Sequence, residues 1–313
     1  MTCCAAALAD NARTLILVSD RQIGFDMIST DPETQKVRQV HPRWWLMYSG
    51  NDISPVFPIA DRIESKLLEL SGGQAAVDGG GPEIPQVLDV ENAVSSAIQI
   101  QLRQEIEAAY LASRGWTMDS FHQAIPNLPP KLVTTIFGEI SRERFDISLI
   151  VAGFDRLGYG HIITVDGRSM ATKRHANPGY AAIGSGDYAA MYWMAYRDIG
   201  YASPSREVLY ATIEGKLFAE LSTGVGAYTD TFVVRSDKPT IRLSDERIDE
   251  AIVRPICEKL APANLTDKYR KMLNEIVDLQ DLPMLEMEGK LKPKKSLSGG
   301  TVAKDVGQTS QVM

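Results

Sequence analysis

The sequence predicts an α+β fold, a four-layer αββα sandwich in which two stacked β-sheets lie between two layers of helices. Several short apolar runs lack polar alternation, which is typical of strands buried on both faces. Amphipathic helical segments follow these runs in pairs, so each sheet can be covered on its outer face. The chain has 313 residues, 44% hydrophobic and 23% charged. This is enough to bury such a core without disulfides.

The first half of the chain begins with strands. Small apolar residues, an Asp-Asn turn and a second apolar run predict a β-hairpin over 3–20. A strand over 35–40 is indicated by alternating polar and apolar residues. Another over 44–49 is continuously apolar, and we therefore expect it to be buried on both faces.

Helices are predicted next in the chain. Asp52 is a suitable N-cap for a helix over 53–70, in which Pro58 predicts a kink. The segment 71–87 is rich in glycine and proline and is typical of an irregular loop. Further helices are predicted over 88–113, 118–124 and 130–142.

Strands return in the second half. Apolar runs predict strands over 146–153, 159–165, 180–184 and 229–235. Helical periodicity predicts helices over 186–199 and 204–221 and two more within 244–281. The domain prediction is one core domain over 2–235 with an insertion at 71–145, a helical extension over 236–285, and a disordered tail over 286–313.

Composition excludes several classes of function. Lys and Arg total 33 against 40 Asp and Glu, a net charge of −7, which disfavours a nucleic-acid partner. No stretch approaches the roughly 20 apolar residues of a membrane span. Three cysteines form no disulfide framework, and the start MTCCAAALAD lacks the basic region of a secretory signal. We therefore expect a cytoplasmic protein with no membrane partner.

Familiar cofactor and metal motifs are missing from the sequence. There is no HExxH, no paired CxxC and no phosphate loop, since Pro82 follows the only run of three glycines. The GxSxG pattern fails around Ser185, because residues 183 and 187 are Ile and Asp. The four histidines are scattered without metal spacing. The sequence therefore predicts no cofactor and no metal.

One candidate nucleophile remains at the start of the chain. Methionine is generally removed before a residue as small as Thr2, and removal would expose an α-amine on a residue that carries a hydroxyl. With a pKa near 8, an α-amine is partly neutral at physiological pH and can accept the proton of its own Oγ1. By itself, a Met-Thr start is weak evidence for this chemistry.

Further motifs occur in a fixed order after Thr2. Ser19-Asp20-Arg21 ends a strand, Lys36 follows within QKVRQV, and Ser49-Gly50 ends the next strand. FDISLIVAGFD, IGSGDYAAMYWM and YTDTFVV come later. In this combination, over about 2–70 and 146–235, the chain resembles the proteasome β-subunit type of N-terminal nucleophile hydrolase.

The resemblance implies a threonine-type hydrolase that cleaves peptide or amide bonds through an acyl-enzyme. Thr2 would be the nucleophile, and Lys36 a buried ammonium that lowers the proton affinity of its Oγ1. Asp20 would hold Lys36 by a charge-assisted hydrogen bond. The Gly50 N–H would bind the oxyanion, and Ser185 would bond near the terminal amine.

The same resemblance implies a substrate pocket beside the lysine and glycine motifs, lined by Thr34, Arg38, Tyr48 and Asp52. One departure concerns the family's acid-and-serine pair before the last strand. Glu220, Ser222 and Thr223 lie in that region, but they align with the family's pair only across a gap.

Two alternatives to a peptidase stay open. One is a non-catalytic assembly subunit that keeps the fold for packing. The other is an acylase or amidase that acts on a small amide, with the insertion at 71–145 covering the site. The resemblance implies a homo-oligomer, in a ring or a larger assembly, and the sequence names neither the physiological substrate nor an ATPase partner.

Overall fold

The computed structural model describes residues 2–25, 28–30, 35–72, 84–222, 224–243, 248, 252–257 and 266–278. Within them the chain is of mixed α and β structure, with two antiparallel five-stranded sheets and a separate short hairpin. The predicted tail over 286–313 and the pocket residue Thr34 lie outside the described residues. No described helix is both long and apolar enough to cross a bilayer.

The first sheet has the strand order β10-β1-β2-β11-β12. β1 and β2 form the predicted hairpin, with Cys4 opposite Ser19. All residues of both strands are buried, as their unbroken apolar runs predict. The strands are β1 (Cys4–Ala9), β2 (Thr14–Asp20), β10 (Tyr180–Ile183), β11 (Thr229–Arg235) and β12 (Ile241–Leu243).

The second sheet has the order β5-β6-β7-β8-β9. Its centre is the β6–β7 pair, whose register places Gly50 opposite Ile147 at one end and Trp44 opposite Gly153 at the other. The strands are β5 (Val37–His41), β6 (Trp44–Gly50), β7 (Ile147–Phe154), β8 (Gly160–Asp166) and β9 (Thr172–Arg174). β3 (Ile23–Phe25) and β4 (Ile28–Thr30) form the short hairpin.

The helices cluster in three groups along the chain. α1 (Val56–Leu70) and α2 (Val87–Ile106) precede a π-turn over Glu107–Leu111. The predicted insertion continues with α3 (Met118–Ala124) and α4 (Pro130–Ile140). The later helices are α5 (Asp187–Tyr196), α6 (Ser205–Ala219), α7 (Arg254–Cys257) and α8 (Asp267–Asp278).

Three apolar cores hold these elements together. One contains residues from both sheets, including Leu17 of β2 and Met47 of β6. A second joins the first sheet to α5, α6 and α8, and a third joins the second sheet to α1 and α2. Each sheet therefore contributes residues to two cores, one that it shares with the other sheet and one that it shares with helices. A small separate cluster around Phe121 packs α3 and α4 within the insertion.

The predicted start of the first helix, at residue 53, and its predicted cap, Asp52, are wrong. Asp52 accepts from the backbone N–H of Ser54 at 2.9 Å and so caps a turn, while α1 begins later at Val56. Pro58 therefore lies in the first turn of α1, where its missing N–H has no helical partner to lose, so no kink is required there. The helix predicted over 88–113 ends as an α-helix at Ile106 and continues as the π-turn.

Candidate active site

Thr2 lies buried directly before β1, where three residues of the β10–α5 turn fix its backbone. Its carbonyl accepts from the N–H of Gly186 at 3.2 Å and from Ser185 Oγ at 3.4 Å. Its own N–H donates to Ser185 Oγ at 3.2 Å. Gly184 has a φ of +100°, and a Cβ there would lie 2.1 Å from the Thr2 carbonyl oxygen. Only glycine allows this close approach.

Lys36 connects the Thr2 hydroxyl to a carboxylate. It lies just before β5 and is buried, and its Nζ donates to Thr2 Oγ1 at 2.7 Å. The same ammonium donates to both carboxylate oxygens of Asp20 at 3.0 Å. The aliphatic part of the side chain is surrounded by protein, so the hydroxyl and the carboxylate are the polar groups that stabilise this buried charge.

Asp20 ends β2, and the surrounding backbone fixes its carboxylate. Oδ1 accepts from the N–H of Cys3 at 2.9 Å. Oδ2 accepts from the N–H of Gln22 at 3.1 Å and from that of Gly226 at 3.2 Å. Three backbone donors and one ammonium thus hold the carboxylate in a single orientation, which in turn fixes where Lys36 can lie.

Gly50 ends β6 beside this cluster. A Cβ there would lie 2.7 Å from the carbonyl oxygen of Asp146, so the close β6–β7 contact requires glycine. The N–H of Asn51 donates to the Asp146 carbonyl at 3.2 Å. Along an antiparallel strand, successive backbone N–H groups point alternately toward and away from the neighbouring strand. The N–H of the preceding residue, Gly50, therefore points away from β7. The described β5–β6 pairing ends at Met47, so this N–H lies beyond its last described pair.

A cavity of about 240 Å³ adjoins these residues. Its described lining consists only of glycine and polar residues: Thr2, Ser49, Gly50, Asn51, Asp146, Ser148, Gly184, Ser185 and Asp187. Burial raises the pKa of Asp187 above its ordinary value. Asp146 accepts from Arg168 Nη2 at 2.7 Å and from Asn51 Nδ2 at 2.5 Å. The cavity is therefore polar and acidic.

Three of the residues predicted to line a substrate pocket are described, and none of them lines this cavity. Arg38 forms salt bridges of 2.6 Å to Asp61 and to Glu64 on α1. Tyr48 is buried, and its hydroxyl donates to the Gln35 carbonyl at 3.4 Å. Burial raises the pKa of Tyr48 to about 12, so its hydroxyl is neutral at physiological pH. Asp52 is exposed at its turn. Of the cavity-lining residues described, none is Arg38, Tyr48 or Asp52.

Two residues behind Asp20, Lys216 and Gly226, were not singled out from the sequence. Lys216 of α6 is fully buried, and its Nζ donates to Glu220 Oε1 at 2.6 Å and to the Gly226 carbonyl at 2.7 Å. The N–H of the same Gly226 donates to Asp20, so Lys216 is connected to the Asp20 carboxylate through the Gly226 backbone. Glu220, a weak match to the family's acid, thus pairs with Lys216. The only sequence signal is the Lys-Glu spacing of four, which is equally typical of an exposed helix face.

The neighbouring cysteines differ from Thr2 in chemistry. Cys3 and Cys4 are both buried free thiols. Burial raises the pKa of Cys3 to about 12, and it raises the pKa of Cys4 well above its ordinary value. Since the thiolate is the reactive form of cysteine, neither thiol is activated as a nucleophile.

The Lys36 ammonium and the Asp20 carboxylate stand behind the Thr2 hydroxyl, while Thr2 and Gly50 themselves line the polar cavity. A hydroxyl that accepts from a buried ammonium is suited to lose its proton and attack a carbonyl carbon. In comparisons with known proteins, no protein-family model and no curated protein matches the chain.

Proposed function

We propose that the protein is a threonine-type N-terminal nucleophile hydrolase with a four-layer αββα sandwich. The layer order is supported by the three apolar cores, one between the sheets and one between each sheet and its helices. The single observation that carries the function is the hydrogen bond of 2.7 Å from Lys36 Nζ to Thr2 Oγ1, on an ammonium held by Asp20. A purely structural lysine does not require a hydroxyl that sits beside a polar cavity.

Removal of Met1 is the activating step in this proposal. It converts the Thr2 peptide nitrogen, which donates to Ser185 Oγ at 3.2 Å, into an α-amine. A neutral α-amine accepts the Oγ1 proton, directly or through one water. Lys36 stabilises the resulting negative charge on Oγ1 because its ammonium is buried and already oriented.

Acylation follows from the attack of Oγ1 on an amide carbonyl carbon. The C–O bond forms as the carbonyl π bond opens, and the N–H of Gly50 stabilises the oxyanion. One such donor contributes about 3 kcal/mol when it is preorganised. Collapse of the intermediate breaks the C–N bond, and the α-ammonium returns its proton to the departing amine. Water, deprotonated by the same amine, then hydrolyses the ester and releases the acid.

The decisive experiment combines mass spectrometry with a trap. We expect purified protein to begin at Thr2 and to add one equivalent of a peptide α′,β′-epoxyketone, which needs a hydroxyl beside a free α-amine. Thr2→Ser should keep measurable labelling, while Thr2→Val, of similar shape, should lose it. A wild type that begins at Thr2, melts cooperatively and fails to label or hydrolyse amides would instead favour the assembly-subunit alternative.

A second candidate is an amidase for small polar amides. The observation that favours it is the cavity of about 240 Å³, whose described lining contains no apolar side chain. Such a cavity cannot desolvate a large apolar group favourably. Competition of small polar amides and of peptides against the trap separates the two: protection by small amides alone supports the amidase, and protection by peptides alone supports the peptidase.

A further inference from the structure

A second cavity lies toward the opposite end of the sheets. It has a volume of about 520 Å³ and lies between the β5–β6 turn, with Pro42 and Arg43, and the β11–β12 turn over 236–240. Trp45 and Phe154 give it an apolar wall. Trp45 is five residues before Gly50 on β6, which separates the two cavities by roughly 17 Å along that strand.

The charge of this cavity is opposite to that of the chain. Arg43, Arg235 and Lys238 line it, and no carboxylate does so among the residues that the structure describes. All three cationic side chains are half-buried, whereas the nearby Asp237 is exposed and does not line the cavity. In a protein of net charge −7, three cations around one concave site create a local positive potential.

The turn that carries Arg43 is held rigidly. The Arg43 carbonyl accepts from the N–H of Phe154 at 3.0 Å, and the Arg43 N–H donates to His41 Nδ1 at 3.2 Å. A Cβ on Gly153 would lie 2.2 Å from the same carbonyl oxygen, so this glycine allows the turn to approach β7. The Arg43 guanidinium contacts only a backbone oxygen among its described hydrogen bonds, that of Asp155 at 3.5 Å.

We propose that this cavity binds a small polyvalent anion of the phosphate type. A planar guanidinium presents paired donors that match phosphate oxygens, and a lysine adds a compact point charge. Arg43 belongs to a turn of the second sheet and Lys238 to a turn of the first. A bound anion therefore bridges the two sheets, and binding raises the melting temperature.

Metal-free inorganic pyrophosphate is the probe, measured by calorimetry and thermal melting of the full chain. We expect one saturable site per chain, with affinity that falls as sodium chloride is raised. Arg43→Gln and Lys238→Gln should each weaken binding about tenfold, since each removes one charged hydrogen-bond donor. Lys131→Gln, an exposed lysine on α4 with the same change of charge, should bind like the wild type.

Three outcomes would overturn the proposal. One is the absence of saturable binding at millimolar pyrophosphate. Another is equal weakening by Lys131→Gln and by the cavity variants, which would mean that only overall charge matters. The third is loss of binding in Thr2→Val, because the anion would then occupy the other cavity. Circular dichroism and melting temperatures of each variant establish that a weakened affinity does not come from unfolding.

Discussion

Two buried salt bridges within the described structure differ in one hydrogen bond. Arg197 joins Glu214 between α5 and α6, with Nε and Nη2 on the two carboxylate oxygens at 2.7 and 2.6 Å. Lys36 also reaches both oxygens of its carboxylate, that of Asp20, but it donates in addition to Thr2 Oγ1 at 2.7 Å. The two Arg197 bonds both go to the Glu214 carboxylate, whereas Lys36 also donates to a hydroxyl outside its salt bridge.

The hydrogen bond to Thr2 sets the Lys36–Asp20 pair apart from an ordinary charge pair between helices. Arg197 also lies 5.4 Å from the ring centre of Trp193, so its surroundings are those of a helix–helix contact. Lys36 instead donates to Thr2, which lines the polar cavity. Burial of the carboxylate does not distinguish the pairs, because Asp20 and Glu214 are both almost fully buried. The distinguishing feature is the neighbour that receives the extra hydrogen bond.

The largest expected effect comes from Lys36→Met, which removes the charge and keeps most of the side-chain volume. Trap labelling and amide hydrolysis should fall by about a thousandfold, the scale of losing a preorganised electrostatic contact. The rate of labelling, followed by intact mass, measures this. Lys66→Met, at an exposed lysine that pairs with Glu69, is the control and should label like the wild type. Comparable labelling of both variants would show that the reaction does not need the Lys36 ammonium.

Lys216→Met should have an intermediate effect. Without the ammonium, the Gly226 backbone is no longer held, and its N–H contact with Asp20 weakens. A hydrogen bond to a charged group is worth about 1.5–3 kcal/mol, so kcat should fall by about tenfold to a hundredfold. KM should change little, because Lys216 does not line the cavity. A purely structural role would instead lower only the melting temperature, and unchanged kcat would show this.

Glu214→Gln should affect stability and leave the chemistry intact. Removing one partner of a buried pair leaves Arg197 uncompensated, which costs about 3 kcal/mol in the free energy of unfolding. Urea unfolding measures this loss, and trap labelling per folded molecule should equal that of the wild type. Because Glu214 and Lys216 share α6, the two variants are matched in location. Loss of labelling in Glu214→Gln would remove the distinction between the two salt bridges.

The smallest effect concerns Cys3, which directly follows the candidate nucleophile. Its pKa is about 12 in the folded protein against an ordinary 9.0, because burial disfavours the thiolate. The folded form therefore binds more protons between pH 9 and 12, and the stability contributed by the thiol is lost as pH rises through that window. Cys3→Ala should make stability less pH-dependent there, as urea unfolding at pH 8 and 10 would reveal, with trap labelling unchanged at pH 8. A steeper pH dependence in the variant would contradict this assignment.

The long elements were predictable because their apolar runs span whole strands. β11 has the predicted bounds 229–235, and β6 extends the predicted strand over 44–49 by one residue. β9 and β12 were missed because three residues give no periodic signal. The start of α1 was misjudged because Asp52 has the side chain of a helix cap but caps a turn.

Only some residues of the candidate site could be predicted from the sequence. Thr2, Asp20, Lys36 and Ser185 were singled out through the resemblance to a known family, and the structure brings them within hydrogen-bond distance. Asp146 and Ser148 reach the cavity because β7 pairs with β6, a contact across about a hundred residues that local patterns do not specify. Lys216 escaped notice because a lysine inside an amphipathic helix is ordinarily exposed.

The small residues of β1 have a consequence for any comparison of relatives. Ala5 and Ala7 pack in the core that includes α5 and α6, and Ala6 packs in the core shared by the sheets, so both faces of this strand are fully buried. Larger side chains would push the layers apart. Evolution should therefore hold this segment nearly constant for steric reasons. Conservation of the β1 alanines among relatives would therefore reflect packing. Only conservation of the polar residues Thr2, Asp20 and Lys36 would be evidence for catalysis.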